Sequence, residues 1–144
     1  MARIVVGVDG STNGERALRW AIDEARLRGA QLELVTSVPP ARMFDAVTAA
    51  RSREELEADA TSLLERVLDE VVLPSVDTRE VEVQRTVRTG SAAEVLVETA
   101  QGADLLVVGA RGHGGFAGLL VGSVAQQVVA HAPCPVVVVV PEGR

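Results

Sequence analysis

Lysine and tyrosine are absent from this chain of 144 residues, and all 14 of its basic residues are arginine. A phosphate-binding loop of the Walker A type needs a lysine on the β- and γ-phosphates, and Schiff-base chemistry needs a lysine amine. The missing lysine therefore excludes both kinds of site.

Cysteine and aromatic side chains are also scarce. Cys134 is the only cysteine, so the chain cannot form an intramolecular disulfide, and one thiol is too few for a zinc site. With two Phe and one Trp, the chain lacks the aromatic platforms on which single-stranded nucleic acids stack. Because the net charge of −6 also repels a phosphate backbone, we expect no nucleic-acid partner.

Long apolar runs are missing as well. No uninterrupted apolar segment approaches the roughly 20 residues of a membrane span, and the first residues do not include the apolar stretch of a signal peptide. We therefore expect a cytoplasmic protein with no membrane partner. Hydrophobic residues still make up 47% of the chain, which suits a single domain over residues 1–144 with a substantial core.

Strand-like and helix-like patterns alternate along the chain. The spacing of apolar residues predicts four helices, one after each of the first four strands, and five strands at about 4–8, 31–38, 81–87, 105–108 and 136–140. Crossover helices force parallel pairing, so we predict an α/β, Rossmann-like fold with a doubly wound parallel sheet. Ligands of such sheets bind beyond the carboxyl ends of the strands, where strand order reverses. The stretch 41–50 has no clear pattern and is predicted to be a loop.

The loop after the fourth strand carries the strongest functional signal, since residues 109–122 hold six glycines. Glycine lets the backbone approach a ligand closely, and successive N–H groups can converge on an anion. The loop leads into a helix predicted to begin at Gly122-Ser123, whose free N–H groups and positive dipole end suit a phosphate chain. The Ser123 hydroxyl can cap that helix or donate to a phosphate oxygen. A merely flexible surface loop is less favoured, because six glycines weaken folding unless something uses them.

Gly109, Gly112, Gly122 and Ser123 stand as G-x2-G-x9-G-S, which resembles the ATP-binding signature of the universal stress protein family. The opening V-V-G-V-D-G-S at 5–11 and the closing A-P-C-P-V-V-V-V at 132–139 also resemble that family's first and last strands. The resemblance covers essentially the whole chain. It implies the strand order 3-2-1-4-5 and, as ligand, ATP or a related adenine nucleotide together with Mg²⁺.

The resemblance also implies particular nucleotide contacts. Asp9 would lie at the mouth of the cleft, near the ribose or the phosphate-bound metal, and Gly7 would let the ligand approach strand 1. Val38 would touch the adenine through its backbone and side chain. The remaining expected contacts are Gly109, Ala110, Arg111, Gly112, His113, Gly114, Gly115, Gly122, Ser123 and Val124. For Asp9, a second role stays open, because Asp followed by Gly-Ser is a common turn and helix-start device.

Three functions stay open at this point. The leading hypothesis is a regulatory nucleotide-binding protein of the stress response, since a phosphate-cradling loop comes with no evident water-activating base. The alternatives are a slow Mg-dependent ATPase assisted by Asp9 and a cyclic-AMP-binding protein on the same scaffold.

A homodimer is also predicted. In the order 3-2-1-4-5, the run Val136 to Val140 lies at a sheet edge. An open edge of five valines invites aggregation unless a second copy covers it.

Overall fold

The computed structural model describes residues 2–41, 51–77, 79–112 and 121–142. The predicted loop at 41–50 falls almost wholly outside these residues. So do three of the predicted nucleotide contacts, His113, Gly114 and Gly115.

Five parallel strands form one sheet in the order β3-β2-β1-β4-β5, which confirms the predicted fold class and strand order. The strands are β1 (Arg3–Gly7), β2 (Gln31–Val38), β3 (Val83–Thr89), β4 (Leu105–Gly109) and β5 (Val136–Val139). The third strand begins two residues later than predicted. Val81 is buried in the core but precedes the paired residues, so its apolar character reflects packing and not pairing.

Four main helices flank the sheet: α1 (Thr12–Arg28), α2 (Arg53–Val67), α3 (Ala92–Thr99) and α4 (Ser123–His131). A π-helical turn (Leu68–Val72) and one further helical turn (Leu73–Ser75) extend α2. Serine hydroxyls cap three of these helices at their N-termini. At Ser91, which caps α3, the Oγ accepts from the Glu94 N–H at 3.3 Å. None of the described helices has both the length and the apolar character needed to cross a bilayer.

The sheet is covered on both faces because its strands are apolar on both faces. In β1, Ile4 and Val6 pack into a core cluster with α1, α2 and the π-helical turn. Val5 points the other way and packs with residues of α3 and α4. This doubly covered arrangement leaves the carboxyl ends of the strands as the natural place for a ligand.

A partly buried ion pair ties the opposite, amino-terminal side of the sheet to α3. Arg3 Nη1 donates to Glu33 Oε1 at 2.7 Å, and Thr86 Oγ1 donates to Glu33 Oε2 at 2.6 Å. Arg3 also donates to the carbonyl oxygens of Thr99 and Gln101 at the end of α3. Both carboxylate oxygens of the buried Glu33 therefore have donors, as a buried charge requires.

Candidate functional site

The carboxyl ends of β1 and β4 open into a cavity of about 520 Å³. This is the point at which strand order reverses, and ligands of doubly wound sheets bind there. The cavity is lined by every predicted contact that the structure describes: Gly7, Asp9, Val38, Gly109, Ala110, Arg111, Gly112, Gly122, Ser123 and Val124. Residues more than 100 positions apart in the sequence thus meet in one cleft.

Asp9 is held in place by a local turn. Its Oδ1 accepts from the backbone N–H of Ser11 at 2.9 Å and from the Ser11 hydroxyl at 2.6 Å. Gly10 has a φ of 80°, in the left-handed region that glycine enters without steric cost. Ser11 Oγ in turn accepts from Gly14 N at 3.0 Å and caps α1. The turn and helix-start role considered for Asp9 is therefore present.

The second carboxylate oxygen of Asp9 faces the loop that follows β4. A Cβ added to Gly112 would lie 2.6 Å from Asp9 Oδ2, which is closer than real Cβ contacts allow. A Cβ on Gly14 would collide with Oδ1. Because one oxygen holds the turn and the other faces Gly112, Asp9 combines its structural role with a place in the cavity wall.

Three amides at the neck of the loop are already used by the protein. The N–H of Ala110 donates to Val139 O at 2.8 Å, and that of Gly122 donates to Ala110 O at 2.6 Å. The N–H of Arg111 donates to Asn13 Oδ1 at 2.7 Å. The expectation that these amides face a phosphate chain is therefore corrected. Their N–H groups donate to acceptors within the protein and hold the two ends of the loop together.

The start of α4 is the element best suited to an anion. Gly122 is the N-cap, and no side chain caps this helix among the described residues. Ser123 occupies the first helical position, so its hydroxyl is not the cap. The backbone N–H groups of Ser123, Val124 and Ala125 have no acceptor within the helix, and all three residues line the cavity. With the positive dipole end, they form an anion-binding element.

Two of the predicted glycines serve the protein's own packing. A Cβ on Gly7 would lie 3.1 Å from Leu96 Cδ2, so the missing side chain leaves room for α3. A Cβ on Gly109 would lie 3.1 Å from Asn13 Oδ1. Gly7 and Leu96 both line the cavity, so the expected approach of a ligand to Gly7 stays a prediction.

At the other end of the cavity, β2 extends beyond β1. Neighbouring residues of a strand direct their N–H and C=O groups alternately to the two adjacent strands. Val35 O accepts from Val8 N on the β1 side at 2.8 Å, whereas Val38 O accepts from Gly90 N on the β3 side at 2.9 Å. Ser37 stands two residues after Val35, so its N–H and C=O groups point to the same side of the strand as those of Val35. Because β1 has ended at this point, these groups face the cavity. The Val38 carbonyl is thus used within the sheet, while Val38 still lines the cavity, so the expected adenine contact there stays a prediction.

One face of α2 forms the adjoining wall. Leu56, Ala60 and Leu63 are spaced so that they share this face, and all line the cavity. Asp59 also lines it and accepts from Arg51 Nη1 at 2.5 Å, and this carboxylate raises the pKa of Arg51. The charged run 51–59 therefore contributes in part to the wall of the cavity.

No group of three or more His, Cys, Asp and Glu side chains could hold a metal ion within the described residues. Cys134 does not line the cavity, and burial raises the pKa of its thiol, so the protonated form dominates at neutral pH. Asp9 Oδ2 is thus the carboxylate oxygen best placed for a role at the loop.

The sequence model of the universal stress protein family matches residues 1–140 of this chain. The chain belongs to the universal stress protein family. Among curated members, Universal stress protein Rv1996 of Mycobacterium tuberculosis is 32% identical over 154 residues, which cover 98% of this chain and 49% of that protein. The chain spans about half the length of the curated universal stress proteins it matches.

Solved universal stress protein structures share the fold over nearly all of both chains. One, in complex with cAMP, is 28% identical with a TM-score of 0.72, covering 96% of this chain and 96% of that one. Another, from Archaeoglobus fulgidus in complex with dAMP, is 28% identical with a TM-score of 0.70, covering 96% and 98%.

Sequence reasoning missed three residues that shape the cavity of this universal stress protein: Asn13, Gly14 and Ser37. Gly14 could have been noticed in the sequence, because glycine is disfavoured inside a helix and this one stands in the first turn of α1. Nothing in the sequence singles out Asn13, since a polar residue near a helix start is ordinarily solvated. Ser37 depends on where the neighbouring strand stops, which the sequence locates only to within a few residues.

Proposed function

We propose that this chain binds an adenine nucleotide, with ATP as the ligand, in the cavity beyond β1 and β4. The protein would hold the nucleotide as a regulatory component of the stress response and would not turn it over rapidly. The observation that carries this proposal is the uncapped start of α4, whose N–H groups face a cavity also walled by Gly112 and Asp9.

The two ends of the cavity differ in the way that a nucleotide requires. One end offers the N–H groups of Ser123 to Ala125, which suit phosphate oxygens. The other is walled by Val38, Leu56 and Leu63, which suit the faces of a base. The main-chain groups of Ser37 supply one donor and one acceptor at that end, the combination that the N1 and amino group of adenine require. The relatives in complex with cAMP and dAMP support the adenine class.

Asp9 fits a role beside a phosphate-bound Mg²⁺. Magnesium usually binds through one or two carboxylates together with substrate phosphates. Asp9 Oδ2 is turned to the loop, while Oδ1 is occupied by Ser11. When bound, the ion would neutralise the repulsion between this carboxylate and the polyphosphate. The other described carboxylate that lines the cavity, Asp59, is paired with Arg51, so we propose that the site holds the nucleotide and does not hydrolyse it rapidly.

The binding proposal is tested by identifying the nucleotide that the purified protein releases on denaturation, using mass spectrometry, and by calorimetric titration with ATP, cAMP and GTP. We expect one ATP per chain, Mg²⁺-dependent affinity and hydrolysis slower than about 1 s⁻¹, the low end of typical enzymes. Faster turnover would favour the ATPase alternative. Displacement of ATP by a lower concentration of cAMP would favour the cyclic-nucleotide alternative, which the cAMP-bound relative brings into consideration.

We also propose a homodimer in which the free edges of two copies of β5 pair. Leu106 N donates to Pro135 O and Ala110 N donates to Val139 O, so the odd-numbered residues of this strand bond to β4. Val136 and Val138 consequently direct their N–H and C=O groups away from β4. In the described residues no strand pairs with that edge, and Val140 just beyond it is half-exposed.

Val138→Pro is expected to weaken the dimer about 30-fold, because it removes one outward N–H from each copy and each such bond contributes about 1 kcal/mol. The bonds from β5 to β4 are unaffected, since they use residues of the other parity. Sedimentation velocity across a concentration series measures the change. Val138→Thr is the matched control, because it keeps the amide and the side-chain shape. A wild-type protein that stays monomeric at micromolar concentrations would contradict the proposal.

A further inference from the structure

We propose that Asn13 is a positioning residue for the nucleotide loop, although it does not line the cavity. The inference rests on the proposed function, because it concerns how the loop of the nucleotide site is held. Asn13 lies in the first turn of α1 and is buried, with 9% of its surface exposed. A polar side chain in that position must have its hydrogen bonds satisfied within the protein.

The Asn13 side chain joins two distant segments. Its Oδ1 accepts from the N–H of Arg111 at 2.7 Å, and its Nδ2 donates to Val139 O at 3.0 Å. The partners lie 98 and 126 residues away in the sequence. One amide thus links α1, the start of the loop and the end of β5.

The orientation of this amide is set by its partners. Arg111 N–H can only donate and the carbonyl of Val139 can only accept, so the reversed amide would oppose like groups at both contacts. Val139 O also accepts from Ala110 N at 2.8 Å. The carbonyl at the end of β5 therefore receives donors from both Asn13 and the loop.

The backbone that follows β4 is closely packed against Asn13. A Cβ on Gly109 would lie 3.1 Å from Asn13 Oδ1 and 3.2 Å from Asn13 O, so the chain after β4 packs directly against the residue. Arg111, held by Asn13, is followed at once by Gly112, whose Cα stands against Asp9 in the cavity wall. Asn13 thereby determines where Gly112 meets Asp9, and nucleotide affinity depends on a side chain that touches no nucleotide.

Asn13→Leu, an apolar replacement of similar volume, is expected to raise the Kd for ATP about tenfold, the effect of losing one buried hydrogen bond. Calorimetry is performed where every variant is fully folded, so that a loss of global stability alone does not alter Kd. Thr99→Val is the matched control. It removes another buried hydrogen bond, from Thr99 Oγ1 to Val95 O, on a residue that does not line the cavity. Its Kd is expected to stay unchanged.

Amide hydrogen exchange gives a second readout. In Asn13→Leu and Asn13→Ala the Arg111 amide should exchange faster, whereas Asn13→Asp should keep it protected because a carboxylate oxygen replaces Oδ1 as acceptor. If wild-type protein binds ATP and Asn13→Leu binds it with the same Kd, this inference alone is overturned. If wild-type protein binds no nucleotide, both it and the proposed function fail. Asn13→Asp and Asn13→Ala keep the test available should the leucine variant not fold.

Discussion

Gly112→Val is expected to weaken ATP binding by at least about 100-fold, which corresponds to roughly 2.7 kcal/mol of binding free energy. The first atom of any side chain at this position would lie 2.6 Å from Asp9 Oδ2. Asp9 cannot move aside easily, because two hydrogen bonds from Ser11 hold its other oxygen. The valine would therefore displace either Asp9 or the loop, and its remaining atoms would reduce the space between Asp9 and α4.

Titration calorimetry measures the affinity of this variant, and urea unfolding shows that the fold is kept. Because Gly112 is exposed and outside the core, we expect little change in the free energy of unfolding. Gly29→Ala is the control. Gly29 ends α1 with a φ of 62° and has no neighbouring atoms within 4 Å of a Cβ, so its replacement strains the backbone without reaching the cavity. Full affinity in Gly112→Val would remove the loop from the nucleotide site.

Arg3→Leu is expected to lower the free energy of unfolding by about 3 kcal/mol, since removing one partner of this partly buried ion pair leaves the buried charge of Glu33 uncompensated. Glu33 would keep only the Thr86 hydroxyl as donor, and the carbonyl oxygens of Thr99 and Gln101 would lose theirs. Urea unfolding followed by circular dichroism gives the value.

The double variant Arg3→Leu/Glu33→Leu separates the stranded charge from lost packing. We expect it to recover much of the stability, because apolar replacement of a complete buried pair is often close to neutral. Arg19→Ala provides the comparison with an exposed pair, whose partners Glu15 and Arg19 are each about half exposed; its effect should stay within about 1 kcal/mol. A loss in Arg3→Leu no larger than that of Arg19→Ala would show that the buried pair is unimportant.

The sequence patterns were most informative where local chemistry decides the structure. Ser91 followed by Glu94 predicted a helix start, and the cap is present. The second strand has the predicted bounds, because Pro39-Pro40 ends it locally. The G-x2-G-x9-G-S pattern led to a loop whose described residues line the cavity at the strand-order reversal. In each case the signal lies within a few residues of the feature it predicts.

The roles of individual glycines could not be predicted in the same way. Gly7 and Gly109 line the cavity, and Leu96 and Asn13 lie on the side of each glycine that a Cβ would occupy. Gly112 does stand against Asp9 in the cavity wall. A missing side chain signals that something comes close, and only the packing of distant segments determines whether that is protein or ligand.

By itself, the sequence determined the order of strands and helices along the chain, the helix start at Ser91 and the family. Each of these depends on short-range periodicity or on motifs read along the chain. The tertiary structure alone decided which main-chain groups face the cavity. Ser37 faces it because β1 ends before β2 does, and the Arg111 amide does not because Asn13, 98 residues away, accepts its hydrogen bond. A main-chain group bonds to whichever partner the fold brings near it, and that partner can lie far away in the sequence.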